Sequence, residues 1–286
     1  MGGSPLIPLI AAAARQEGAD LLCLAESEDP VPELTLALNA GEQRLYSVPL
    51  GLPLNLRREL RILSRLPADA VMPLYDDHGI TVRAVRPPVG PDFTLIAVHL
   101  RSKLYQHPAD QPFAAARLGR LIDRMESRAG HRRTVVVGDL NMDPFESGVV
   151  AADGLHAVMT RSIALKLRRQ VEGEDRHFLY NPMWNHFGDR NPSPPGTYYL
   201  GPSGYTSYFW HMFDQVLVRP DLLPYLDDAS VRILTQIGNT SLLTGEGVPD
   251  KNQYSDHLPL VFDLNVERGL QDGIQEPVGE DQAPRI

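Results

Sequence analysis

Cysteine is almost absent from this 286-residue chain: Cys23 is the only one, so no disulfide can form within it. It lies in the apolar run Leu21-Leu22-Cys23-Leu24 and reads as a buried free thiol. Long hydrophobic runs are also missing, and no stretch approaches the ~20 apolar residues that a spanning helix needs. Pro5 to Ala14 has signal-peptide length, but no Lys or Arg precedes it and Arg15-Gln16-Glu17 follows at once. The expected location is therefore cytoplasmic rather than secreted. Basic residues are the minority charge, 27 Lys and Arg against 36 Asp and Glu, for a net charge of −9. A wide basic surface that wraps nucleic acid is not expected, because neutralising phosphates takes clustered Lys and Arg.

What is present is enough apolar material for a large core, 43% of residues, with no repeat or composition break to divide it. One domain is expected over residues 1–265, followed by a disordered acidic tail over 266–286. Leu6 to Gln16 reads as a helix ended by Gly18, Val31 to Asn39 as a second, and Ala109 to Arg128 as the longest, with Phe113, Leu118, Leu121, Ile122 and Met125 on one stripe. Strands are expected at Leu21-Ala25, Arg61-Leu66, Ile80-Val85, Phe93-Leu100, Thr134-Val137, Gln215-Val218, Val231-Leu234 and Leu258-Leu264. Asp76-Asp77-His78-Gly79 reads as a turn. Strands mixed with helices on this scale imply sheets covered by helices.

Polar groups gather at the strand ends. Glu26 closes the first strand, His99 ends the fourth, and Asp139 and Asn141 follow Thr134-Val137 in Gly138-Asp139-Leu140-Asn141. Asp214 opens Gln215-Val218, and Asp256-His257 precede Leu258. Residues two apart in a strand point to one side, so the Asp139 carboxylate and the Asn141 amide can address one small target. A lone strand-end acid is usually a turn former or helix cap. Five such termini, each beside an apolar strand, point to one shared site.

Leu24-Ala25-Glu26, Val98-His99-Leu100-Arg101-Ser102, Gly138-Asp139-Leu140-Asn141, Phe213-Asp214-Gln215-Val216 and Tyr254-Ser255-Asp256-His257 together resemble the endonuclease/exonuclease/phosphatase superfamily, in its order. The resemblance implies an α/β fold, a four-layer α/β/β/α sandwich of two mixed sheets with the site at one rim. It implies that Glu26, with Asp256, holds a divalent metal, Mg²⁺ with Mn²⁺ as the alternative; oxygen ligands suit such hard cations. His257 becomes a general base or phosphate-contacting imidazole, Asp214 its orienting carboxylate, and Asn141 a group that holds the attacked phosphate. Either His257 or Asp139 activates the water. His99 binds phosphate or protonates the leaving oxygen, with Arg101 and Lys103 beside it. The implied activity is phosphodiester hydrolysis, a nuclease first, with phosphatase, lipid or small-phosphodiester hydrolase, or a silent binding protein as alternatives.

Family members open with a strand ending in Asn, upstream of the metal glutamate, yet no Asn precedes Asn39 here. The expectation drawn is that Met1 is an internal methionine and that a first strand lies upstream. Substrate choice is less legible. Tyr180 to Trp210 carries Trp184, Tyr198, Tyr199, Tyr205, Tyr208, Phe209 and Trp210, which either stack on bases or pack over the sandwich edge. His177, His186 and His211 lie there without metal-ligand spacing.

Overall fold

The computed structural model describes residues 6–27, 29–49, 60–102, 110–190, 193–202, 205 and 207–267. Lys103 and all but two residues of the expected tail lie outside them. α1 (Leu6–Glu17) leads into β1 (Leu21–Ala25), α2 (Val31–Asn39) and β2 (Leu60–Ser64). β3 (Val71–Asp77), β4 (Ile80–Val85), β5 (Phe93–His99), α3 (Gln111–Ala129) and β6 (Thr134–Asp139) follow. Shorter elements come next: α4 (Ser147–Val150), β7 (Ala157–Val158), α5 (Arg161–Ala164), the hairpin of β8 (Arg168–Val171) and β9 (Glu174–His177), and β10 (Leu179–Tyr180). The last part holds β11 (Tyr198–Tyr199), β12 (Trp210–His211), β13 (Asp214–Val218), β14 (Arg232–Ile233), β15 (Gln236–Ile237), β16 (Thr240–Ser241) and β17 (Leu260–Val261).

Seven strands form one mixed sheet in the order β3-β4-β5-β6-β13-β10-β7. β5 runs parallel to β6, as does β10 to β7, and the remaining neighbours are antiparallel. Period-two alternation then sorts the side chains. Phe93, Leu95, Ala97, Val135, Val216 and Val218 enter one core with Leu60 and Ile62 of β2 and Ile233 of β14. Ile96, Val98, Val136 and Leu217 enter another on the opposite face, under Ala115, Leu118, Leu121, Ile122 and Met125 of α3. Leu22, Leu24 and Leu63 turn the far side of the β1–β2 pair to a third core, with Ile7, Ala11 and Ala14 of α1 and Leu34 and Leu38 of α2.

Three cores separate four layers: α3, the seven-stranded sheet, a second β layer, and α1 with α2. This is the α/β/β/α order the resemblance implied. The second β layer is made of the pairs β1–β2, β14–β17 and β15–β16.

Several short strands were not expected, and two further departures have a local cause. β3 replaces part of a region read as turn; its Pro73 is tolerated because β3 is an edge strand and the register shifts between Pro73 and Tyr75. The last strand shrinks from Leu258-Leu264 to Leu260–Val261. Pro259 has no N–H to give a ladder, and its carbonyl instead accepts from Leu234 N at 2.9 Å, while Leu258 N donates to Thr197 O at 2.8 Å. That change of partner carries His257 to the rim.

Candidate active site

β5, β6 and β13 end or begin at one rim, and their register sets His99 opposite Asp139 and Asp139 opposite Asp214. Gly138 makes this packing possible. Its φ is +129°, and an added Cβ would collide with the Val98 carbonyl. Beyond Asp139 the chain turns back through Asn141 at φ 51°, a left-handed conformation that Asn tolerates. Asn141 N and Nδ2 each donate to the Asp139 carboxylate at 2.7 Å, and Nδ2 also donates to Leu100 O at 2.7 Å. Both amide hydrogens are thus engaged, and Asn141 acts here as a clamp on Asp139. Gln111, at the start of α3, donates to Asn141 O at 2.6 Å and ties the turn to that helix.

Glu26 leaves β1 at φ 51° with its carboxylate largely in solvent, and Oε1 lies 3.3 Å from His99 Nε2. Asp139 Oδ2 stands 3.7 Å from the same nitrogen, while the buried His99 Nδ1 has no hydrogen-bond partner among the described residues. His257 Nδ1 donates to Asp214 Oδ2 at 2.7 Å. Asp256 is exposed beside it, and Arg101 is exposed next to His99.

Charge crowding is evident in both directions. Burial, with the charges of Asp214 and Glu26 adding, pushes the Asp139 carboxyl up to about 7 against the opposing pull of His257 and the Asn141 N–H. Burial alone would lower His257, but its hydrogen bond to Asp214 and the charges of Asp214, Asp139 and Asp256 outweigh that and raise it to about 9. Carboxylates outnumber cations at this rim, and their donors are oxygens, the set that a hard divalent cation takes. In charge and donor chemistry Glu26, Asp139 and Asp256 fit such an ion. In geometry, no three His, Cys, Asp or Glu side chains among the described residues close around one point.

A second carboxylate–imidazole pair adjoins the first. His211 Nδ1 donates to Asp143 Oδ2 at 2.8 Å, and Asp143 Oδ1 accepts from Met212 N at 2.8 Å. Tyr198 pairs across the backbone with both His211 and His257. Its ring centroid is 4.9 Å from that of His257 and 6.5 Å from that of His211. Phe213 stacks on both Tyr198 and His211. His211 has no metal-ligand spacing to the neighbouring histidines in the sequence. Asp143 lies 68 positions away, so no local motif joins them; the alternation Asp139, Asn141, Asp143 was the one sign.

Carboxylates and imidazoles thus line one rim of a layered α/β sandwich. The chain belongs to the Endonuclease/Exonuclease/phosphatase family, whose model matches residues 7–257 and whose members are hydrolytic phosphoesterases, generally dependent on divalent metals. Its fold is similar to that of a 3′-5′ exonuclease (NExo) from Neisseria meningitidis, at TM-score 0.52 and 16% identity, over 92% of this chain and 96% of that one. It is also similar to ANGEL2, a 2′,3′-cyclic phosphatase, at TM-score 0.52 and 16% identity over 91% and 85%. An AP endonuclease from Archaeoglobus fulgidus gives TM-score 0.51 and 13% identity over 92% and 95%. Among curated protein sequences none matches the chain significantly. Among the described residues no helix is long and apolar enough to cross a membrane.

Proposed function

We propose that the chain is a Mg²⁺-dependent phosphodiesterase of the cytoplasm, with nucleic acid as its leading substrate class. The observation that carries this reading is the register of His99, Asp139 and Asp214 on three adjacent strands, with His257 held on Asp214 at 2.7 Å. Asp139 takes the proton of the attacking water. Burial and neighbouring carboxylates make it a stronger base than a surface acid, and Asn141 fixes its orientation. His257, kept cationic by Asp214, Asp139 and Asp256, contacts the phosphate oxygens and stabilises the charge that builds on them. A divalent cation held by Glu26 and Asp256 would supply Lewis-acid stabilisation of the same charge.

The names of the similar structures favour phosphate substrates without choosing among them, which leaves nucleic acid resting on the family's breadth. Hydrolysis of bis(p-nitrophenyl) phosphate with and without Mg²⁺ tests the reading. Mg²⁺-dependent turnover, reduced about 10³-fold or more in Asp139→Asn and His257→Ala, is expected. Metal-independent turnover, or full activity in either variant, would sink it. A panel of DNA, RNA, phospholipid and inositol phosphates then ranks the substrates.

A further inference from the structure

Asp143 is almost wholly buried and both its oxygens are used, one by Met212 N and one by His211 Nδ1. With Nδ1–H committed, Nε2 is the nitrogen that His211 has left, and no hydrogen bond among the described residues occupies it. The same arrangement, a carboxylate fixing one nitrogen of a partly exposed imidazole, recurs in Asp214 and His257. Residues directly opposite on antiparallel neighbours share a face of the sheet. Tyr198 is opposite both histidines, so both imidazoles stand on one face, about two strand spacings or ~9.5 Å apart along the rim.

We propose that His211, held by Asp143, is the acid that protonates the leaving oxygen of the phosphodiester, an assignment that rests on the phosphoesterase reading of the rim. Pairwise contacts link Glu26 to His99, His99 to Asp139, Asp139 to Asp214, Asp214 to His257, His257 to Tyr198, Tyr198 to His211 and His211 to Asp143. Water activated at Asp139 reaches a phosphate at His257 from the carboxylate side. In-line displacement then expels the leaving oxygen on the far side, toward Tyr198 and His211. As the bond from water oxygen to phosphorus forms, the ester P–O bond breaks. The water proton goes to Asp139 and the Nε2 proton of His211 goes to the leaving oxygen. The products are a phosphomonoester and a neutral alcohol, and solvent restores both side chains.

His99 is poorly placed for this step because its Nε2 faces Glu26 and Asp139, on the attacking side. An acid at His211 matters only for leaving groups that need a proton, so the substrate class is an ester of an aliphatic alcohol, such as a sugar hydroxyl.

The test compares two phosphodiesters in the presence of Mg²⁺: thymidylyl-thymidine, which expels an alkoxide, and bis(p-nitrophenyl) phosphate, whose phenoxide leaves unaided. His211→Ala is expected to lose about 10²–10³-fold on the dinucleotide and under about fivefold on the aryl ester, the share that general acid catalysis supplies. Added imidazole should restore part of the dinucleotide rate. Asp143→Asn, a change at a positioning residue, should show the same selectivity at about tenfold. Retained aryl-ester turnover shows that each variant is folded. Equal losses on both esters, or none on either, would overturn the assignment while leaving the phosphoesterase reading intact. A wild-type chain that cleaves neither ester would overturn both.

Discussion

Glu26 adopts φ 51°, a region that costs a residue with a Cβ about 1–2 kcal/mol and costs glycine nothing. Its carboxylate also adds to the negative charge that keeps Asp139 protonated up to about 7. Both effects oppose folding, so Glu26→Gly should stabilise the metal-free protein by about 1 kcal/mol, read as a higher urea midpoint, while removing phosphodiester turnover. Glu26→Ala, which relieves the charge and keeps the backbone strain, should gain less; a loss of stability in Glu26→Gly would show that its contact with His99 matters more. Away from the rim, His156 is buried, its Nδ1 donates to His177 O at 3.1 Å, and its Nε2 accepts from Arg169 Nε at 2.9 Å. A proton on Nε2 would displace that bond and face a guanidinium. Burial, with Arg169 and Arg219 nearby, accordingly lowers His156 to about 4. The unfolded chain takes up this proton below about 6.5, so the stability it represents is complete above that pH and is lost as pH falls toward 4. Unfolding free energy should drop by about 2–3 kcal/mol over that window from this group, and a His156→Gln chain should have a flatter profile. At this scale the sequence was legible where chemistry repeats in short strings, as in Gly138-Asp139-Leu140-Asn141. It was opaque where partners are distant, as with Asp143 and His211.

Elements were legible in proportion to their apolar period. β4, β5 and α3 carry it strongly, and their observed bounds lie within two residues of the expected ones. The β8–β9 hairpin carries none, since Arg168-Arg169-Gln170-Val171 and Glu174-Asp175-Arg176-His177 are mostly polar; its Glu172-Gly173 turn, with both φ positive, was the available signal. One buried ion pair joins elements that periodicity alone does not connect. Arg219, just after β13, meets Glu126 of α3 at 2.8 Å and donates to the carbonyls of His177 and Phe178 at 3.0 and 3.1 Å. Burial still holds the Glu126 carboxyl above its usual range, so the pair is paid for in desolvation. Arg219→Met should cost about 3–5 kcal/mol in urea unfolding because it takes from the buried Glu126 carboxylate its nearest cation and from the Phe178 carbonyl a donor. Adding Glu126→Leu should recover a good part of that loss. Additive costs in the double variant would mean that the carbonyl contacts, and not the ion pair, fasten α3 to the sheet.

At the scale of the whole molecule the four layers follow from strands that are apolar on both faces, which the alternation of Leu21 to Leu24 between two cores illustrates. Period alone required covered sheets, and only the family resemblance supplied the layer order. Charge is also a whole-molecule property. The chain carries nine more acids than bases, and many of its arginines are already committed: Arg83 to Asp76, Arg161 to Asp228, Arg65 to Asp20, Arg168 to Asp175, Arg232 to Glu17 and Arg219 to Glu126. The excess of acid works against a continuous basic surface beyond the rim. A polyanionic substrate should therefore be gripped at the scissile group and little elsewhere. Each phosphate contact contributes about −0.7 to the slope of log affinity against log salt for a single strand, and a grip confined to the scissile group involves one or two contacts. The KM for a single-stranded oligonucleotide at fixed Mg²⁺ should then rise less than about tenfold between 50 and 200 mM salt. A rise of 10³-fold would require several further cationic contacts, and would place a basic groove among residues that the pairings above do not include.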